Sequence, residues 1–248
     1  LATVNNSTNG NNTTNTQPKS RKKKTNLFNT THLNKMKLDT QLKPKQTILN
    51  GIIKNHSLTV VSGPAGTSKT FSTCYTALEL LANKKIEQII LTKPLLESSF
   101  SMGFLPGSVE EKIEPYMKSY ISTFKKLIGI EKFQELTLNE VIKIETLNFM
   151  RGETYDHSIL LLDEGQNLEM KDLMLWITRL GKDSKAVLMG DMSQYDVKEN
   201  QSSFGNFRNI LDGMKDFSIF EFSREDIVRN PFLIEVTDRY EKWKYKID

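Results

Sequence analysis

Six short apolar runs constrain this chain more than any other feature. Residues 58–61 (LTVV), 89–91 (IIL), 159–162 (ILLL), 186–189 (AVLM) and 219–222 (IFEF) are mainly continuous, and 141–145 (VIKIE) is a weaker, alternating sixth. Continuous apolar strands belong where both faces of a sheet are covered. Between the runs, apolar residues recur at helical spacing. Met170, Leu173, Met174, Ile177 and Leu180 are one such set, with Gly181 expected in the C′ position that ends the helix. Strands alternating with helices predict an α/β fold, a parallel sheet with helices on both faces.

Composition removes several alternatives. One Cys in 248 residues, Cys74, excludes a disulfide scaffold and points to a reducing, cytoplasmic compartment. His32, His56 and His157 are too scattered for a Cys/His zinc site. Charges interrupt every apolar stretch before about 20 residues, so no membrane-spanning helix is expected, and the first thirty residues show no apolar signal segment. The net charge of +4 divides unevenly. Residues 1–45 carry nine basic residues and one acid, Asp39, which leaves 46–248 slightly acidic. Residues 1–40 are expected to be a disordered tail, Asn/Thr-rich at 3–16 and basic at 19–24 (KSRKKK), too poor in apolar groups to offset the entropy of ordering. The basic cluster suits a solubilising arm or a nucleic-acid contact. Residues 41–248 are expected to form the folded domain, with a helical insert at about 97–140.

The chemistry begins where the first run ends. Gly63, Pro64, Ala65, Gly66, Thr67, Ser68, Lys69 and Thr70 stand between a strand and a helical stretch, nearly the phosphate-loop pattern in its required context. Backbone N–H groups there would surround a β-phosphate, Lys69 would reach the β/γ oxygens, and the Thr70 hydroxyl would sit on Mg²⁺. Ser68 stands where the pattern has glycine, so its Cβ demands a less permissive φ. The run at 159–162 leads into Asp163 and Glu164, two carboxylates at the C-terminal end of a strand, where open α/β sheets bind ligands. Asp163 is the candidate Mg²⁺ ligand and Glu164 the candidate base for an attacking water. The run at 186–189 ends in Gly190 and Asp191, with Gln194 placed to sense a γ-phosphate and Asp191 to orient water or metal. Three strands ending in such residues predict nucleoside triphosphate binding.

In order, GPAGTSKT at 63–70, GFLPG at 103–107, Glu111-Lys112, Pro115-Tyr116, Met150-Arg151-Gly152, DEGQN at 163–167, TRLG at 178–181, Ser184-Lys185, Gly190-Asp191 with Gln194, and VRNP at 228–231 resemble the PhoH family. The resemblance spans about 46–240. It implies a P-loop ATPase with a single RecA-like core related to superfamily 1 helicases. It also implies ATP and Mg²⁺ as cofactors, a homo-oligomer in the form of a hexameric ring, and single-stranded nucleic acid, RNA before DNA, as partner. A compact chain of this kind resembles versions encoded by bacteria and their phages. Ser68, Gly165 (usually Ala) and Asn230 (usually His) depart from the family pattern. Gln46, about seventeen residues before the loop, resembles the adenine-reading glutamine of helicase-like ATPases, since an amide offers the donor and acceptor adenine needs; alone it would read as an exposed polar residue.

Two arginines are candidates for charge stabilisation at the γ-phosphate: Arg229 in cis and Arg179 across a subunit boundary, each with a surface ion pair as the plain alternative. Arg151 is a weaker candidate of the same kind, and Arg224 is expected to pair locally with Glu225 and Asp226. In the insert, Phe100, Phe104, Tyr116, Tyr120 and Phe124 alternate with lysines, which suits base stacking. Tyr116, Tyr120 and Phe124 at i, i+4, i+8 equally suit a buried helix face. Two functions remain open: an ATPase coupled to nucleic acid, which Glu164 and Gln194 favour, and a nucleotide-dependent binding or regulatory protein with little turnover that engages a host or protein partner, which Ser68 and the slightly acidic core favour.

Overall fold

The computed structural model describes residues 38–94, 113–191, 203–228 and 231–245. The basic tail, Phe100, Phe104, Gln194 and Arg229 lie outside the described residues. Each apolar run becomes a strand: β1 (Leu58–Ser62), β2 (Gln88–Thr92), β3 (Ile142–Glu145), β4 (Ser158–Leu162), β5 (Lys185–Gly190) and β6 (Phe217–Glu221). They form one parallel sheet in the order β3-β2-β4-β5-β1-β6. The two continuous runs in β1 and β4 are buried at every position, while edge strands β3 and β6 are largely half-buried. The runs are continuous because helices cover both sides of the sheet.

One face is covered by α1 (Pro44–Asn55), α2 (Lys69–Ala82), α3 (Lys118–Ile128) and α4 (Ile130–Leu138), whose Leu49, Ile53, Leu78, Leu81, Tyr120 and Phe133 share a cluster with alternate strand residues. The other face is covered by α5 (Met170–Ile177) and α6 (Ser203–Leu211), through Leu173, Trp176, Phe204 and Phe207. A last helix, α7 (Pro231–Tyr245), follows β6.

This packing decides the insert's aromatic pattern. Tyr120 and Phe124 are 0% exposed, and Phe124 stacks on Phe133 at 6.2 Å between centroids. They serve the core, where truncating Phe124 to alanine would cost about 3–5 kcal/mol, and they are not available to stack bases. Tyr116 is half-buried.

The helix expected to run to Leu180 ends earlier, at Ile177, with Thr178 as its C-cap. Gly181 has a different task from the one expected. Its N–H donates to the Tyr155 carbonyl at 3.0 Å, and a Cβ there would stand 2.5 Å from that oxygen. The glycine permits a close backbone crossing rather than a left-handed helix end. That crossing belongs to the N-terminal edge of the sheet, where several side chains pair with neighbouring backbone groups. The Ser184 hydroxyl accepts from Ser158 N–H (2.9 Å) and donates to the Tyr155 carbonyl (2.7 Å). Lys182 N–H donates to Asp156 (2.7 Å), Lys185 reaches the His56 carbonyl (3.0 Å), and Ser57 donates to Asp216 through both its N–H and its hydroxyl.

Candidate functional site

At the opposite, C-terminal edge, β1, β5 and β4 lie side by side, so the three runs expected to end in phosphate chemistry do open on one place. A cavity of about 280 Å³ there is lined by Ala65, Gly66, Ser68, Lys69, Thr70, Lys93, Asp163, Glu164 and Asp191, among others.

The loop 63–70 turns tightly. Gly63 has φ +147, and a Cβ on it would meet the Phe222 Cβ at 2.7 Å, so only glycine fits. The buried Thr67 donates its hydroxyl to the Pro64 carbonyl (2.9 Å), and Lys69 donates to the carbonyls of Gly63 (2.6 Å) and Pro64 (3.0 Å). Ser68 adopts the left-handed conformation, φ 69 and ψ 27, at the N-cap of α2. For an L-residue this conformation costs roughly 1–2 kcal/mol. The strain expected of a serine at a glycine position is therefore present.

Across the cavity, the Thr70 hydroxyl donates to Asp163 Oδ2 at 3.2 Å. The two groups expected to share a metal, 93 residues apart in sequence, are thus in contact, and their hard oxygen donors suit Mg²⁺. Burial pushes the Asp163 carboxyl above the usual range and Glu164 adds to this, while Lys93, the Glu164 N–H and Thr70 pull it back. Glu164 also sits in a left-handed conformation, φ 58 and ψ 37, and its side chain is 39% exposed against 8% for Asp163. The deeper carboxylate suits a metal ligand, and the more open one suits a base that faces water.

Two contributors carried no assigned role at the level of sequence. Gln166 donates to Glu164 Oε2 (2.6 Å) and accepts from Asp191 N–H (3.1 Å), bridging the ends of β4 and β5. Lys93, just past β2, places its ammonium 3.6 Å from Glu164 Oε1 and 4.0 Å from Asp163 Oδ2. Its sequence signal was slight, a lysine one residue beyond an apolar run. Its meaning depends on β2 pairing with β4, where Thr92 lies opposite Leu162.

The remaining candidates divide. Gln46 is buried at the start of α1 and its Oε1 accepts from Lys43 N–H (2.9 Å), so it caps its own helix and is not among the cavity-lining residues. Arg179 lies at the N-terminal edge, where its guanidinium donates to the carbonyls of Leu175 and Glu153 and to the Thr178 hydroxyl. A five-residue strand, about 17 Å, separates that edge from the phosphate loop. Arg151 is exposed in the turn after β3. Arg224 pairs with Asp238 of α7 (2.6 Å), a longer-range partner than the local one expected. Val228, next to Arg229, donates its N–H to the Gly66 carbonyl (3.0 Å), which brings the chain at that point beside the phosphate loop.

Comparison with known proteins places the chain in a family and a fold. A model of the family described as PhoH-like protein matches residues 40–241. The chain is 35% identical over 191 residues to a PhoH-like protein of Bacillus subtilis, covering 77% of this chain and 60% of that one. It is 31% identical over 186 residues to Protein PhoH of Escherichia coli, covering 72% and 51%. The chain thus spans between half and three fifths of the length of these relatives. Among solved structures, the large terminase of a thermophilic bacteriophage matches with a TM-score of 0.52 at 10% identity, over 82% of this chain and 49% of that one, a likeness of fold.

Proposed function

The chain belongs to the PhoH-like protein family and carries a P-loop NTPase core, and from this we propose that it binds ATP with Mg²⁺ and hydrolyses it, as an oligomer acting on nucleic acid, RNA before DNA. The observation that carries the ATPase reading is the Thr70–Asp163 contact, with Glu164 beside it on the same cavity. Thr70 and Asp163 would hold Mg²⁺, which when bound neutralises charge on the transferring phosphoryl group. The loop N–H groups at the start of α2 bind the phosphates. Lys69 leaves the loop carbonyls for the β/γ oxygens, and Glu164, held by Gln166, accepts a proton from the attacking water. Arg229 completes the γ-phosphate side in cis. Arg179, remote from its own loop, serves a neighbouring subunit, and Gln194 senses the γ-phosphate. Gln46 would read adenine by sharing the acceptor that now caps α1.

The reading is tested by phosphate release. Wild type is expected to turn over ATP, while Glu164→Gln binds ATP with turnover reduced by two orders of magnitude or more. Equal rates from the two proteins would remove Glu164 from the chemistry. Ring formation is read by light scattering. The basic tail supports nucleic-acid attraction, and deleting 1–24 should make the salt dependence of binding shallower. The left-handed Ser68 supports the second reading, an ATP-dependent binding protein with slow turnover. It predicts tight ATP binding with phosphate release no faster than Glu164→Gln.

A further inference from the structure

The cavity is lined by three acids, Asp163, Glu164 and Asp191, against two lysines, Lys69 and Lys93. Lys69 stands on the loop side, where it donates to two loop carbonyls. On the opposite wall, Lys93 is the lining residue of positive charge among the described residues. Its side chain is only 19% exposed, yet its ammonium lies at ion-pair distance from the two carboxylates, 3.6 and 4.0 Å, beyond hydrogen-bond length from either. This half-buried ammonium carries three donors, and those it does not spend on the carboxylates face the cavity that it lines. A group arriving between Lys93 and the loop with spare anionic oxygens would satisfy them.

We propose that Lys93 is a γ-phosphate ligand: it screens Asp163 and Glu164 from each other before nucleotide arrives, and hydrogen-bonds the terminal phosphate of ATP from the wall opposite Lys69. The proposal rests on the ATP reading above and adds to it a residue that distinguishes triphosphate from diphosphate. Its position explains the reach. Thr92 pairs with Leu162 in adjacent parallel strands, so the next residues, Lys93 and Asp163, leave the sheet side by side, and Asp163 N–H donates to the Thr92 carbonyl (3.2 Å). ADP ends one phosphate short of this wall.

The test is Lys93→Met, which keeps most of the stem and removes the charge. It is made in the Glu164→Gln background, so that hydrolysis is slow and the lost cation leaves one carboxylate fewer unscreened. Calorimetry with MgATP and MgADP on the single and double variants is expected to show ATP affinity reduced about 10–100-fold by Lys93→Met. ADP affinity should stay within about 3-fold, and Lys93→Arg should recover most of the ATP affinity. ADP binding also certifies that the double variant is folded; should it fail to fold, Lys93→Gln in the same background is measured in its place. Equal losses for ATP and ADP would reduce Lys93 to a structural counter-ion and overturn the proposal, as would no loss for either. If Glu164→Gln alone binds neither nucleotide, the ATP reading itself falls with it.

Discussion

The two edges of the sheet are built on opposite terms. At the N-terminal edge the starts of β1, β4, β5 and β6 are tied by complementary partners: Ser184 between Ser158 and Tyr155, Asp156 with Lys182, Asp216 with Ser57. Left-handed non-glycine residues occur at both edges, Glu140, His157 and Asp183 before β3, β4 and β5 and Ser68 and Glu164 after β1 and β4, but at the C-terminal edge they adjoin two neighbouring carboxylates and a half-buried lysine that stands short of hydrogen bonding to either. Backbone strain of this kind persists where the surrounding fold over-determines it, and what sets the C-terminal edge apart is a cluster of opposite charges lining a cavity. One edge supplies stability and the other supplies affinity.

The largest effect is expected from Lys69→Ala. It should weaken ATP binding at least about 100-fold, about 3 kcal/mol, with a smaller effect on melting temperature, because the carbonyls of buried Gly63 and half-buried Pro64 lose a donor while no core side chain is removed. A large fall in melting temperature would show that the C-terminal edge also carries stability. Ser184→Ala is the mirror experiment. It strands a buried Ser158 N–H and should cost about 1–3 kcal/mol by denaturant unfolding, with ATP affinity unchanged.

Acid sharpens the comparison further. Asp163 has its folded-state pKa raised by burial, so at neutral pH its charge opposes folding, and protonation relieves this as pH falls towards the carboxylate range. Asp216 has its pKa lowered by hydrogen bonds from Ser57, so its contribution is present above the unfolded value and lost as pH falls through the folded one. Asp163→Asn is therefore expected to raise the stability of the metal- and nucleotide-free protein at pH 7 by about 1 kcal/mol, a gain that shrinks as pH falls into the carboxylate range. Asp216→Asn should lower stability, most visibly above that range. Thermal melts across pH in both variants would break the comparison if the signs agreed. The smallest effect is expected from Ser68→Gly, a gain of about 0.5–1 kcal/mol from relief of the left-handed strain, with ATP bound equally or more tightly. Weaker ATP binding would give the serine hydroxyl a contact of its own.

Much of this molecule was legible without coordinates because its signals are local. A strand that must be buried on both faces is written as an apolar run with few breaks, which marks β1, β2, β4 and β5, while the half-buried edge strands β3 and β6 show as runs interrupted by charged residues. A phosphate loop needs its glycines, lysine and threonine within eight residues, and Asp163 and Glu164 announce themselves at the end of a run. What the sequence could not determine depends on which strands lie side by side. Pairing of β2 with β4 turns Lys93 from a surface lysine into a partner of both carboxylates, and the β4–β5 pairing lets Gln166 bridge their ends. The return path of α5 carries Arg179 to the far edge from the loop that precedes it by a hundred residues. A close crossing with Tyr155 ends that helix before Leu180 and sets the purpose of Gly181. Packing likewise chose the core for Tyr120 and Phe124, because spacing on a helix defines a face and only its neighbours decide what that face meets.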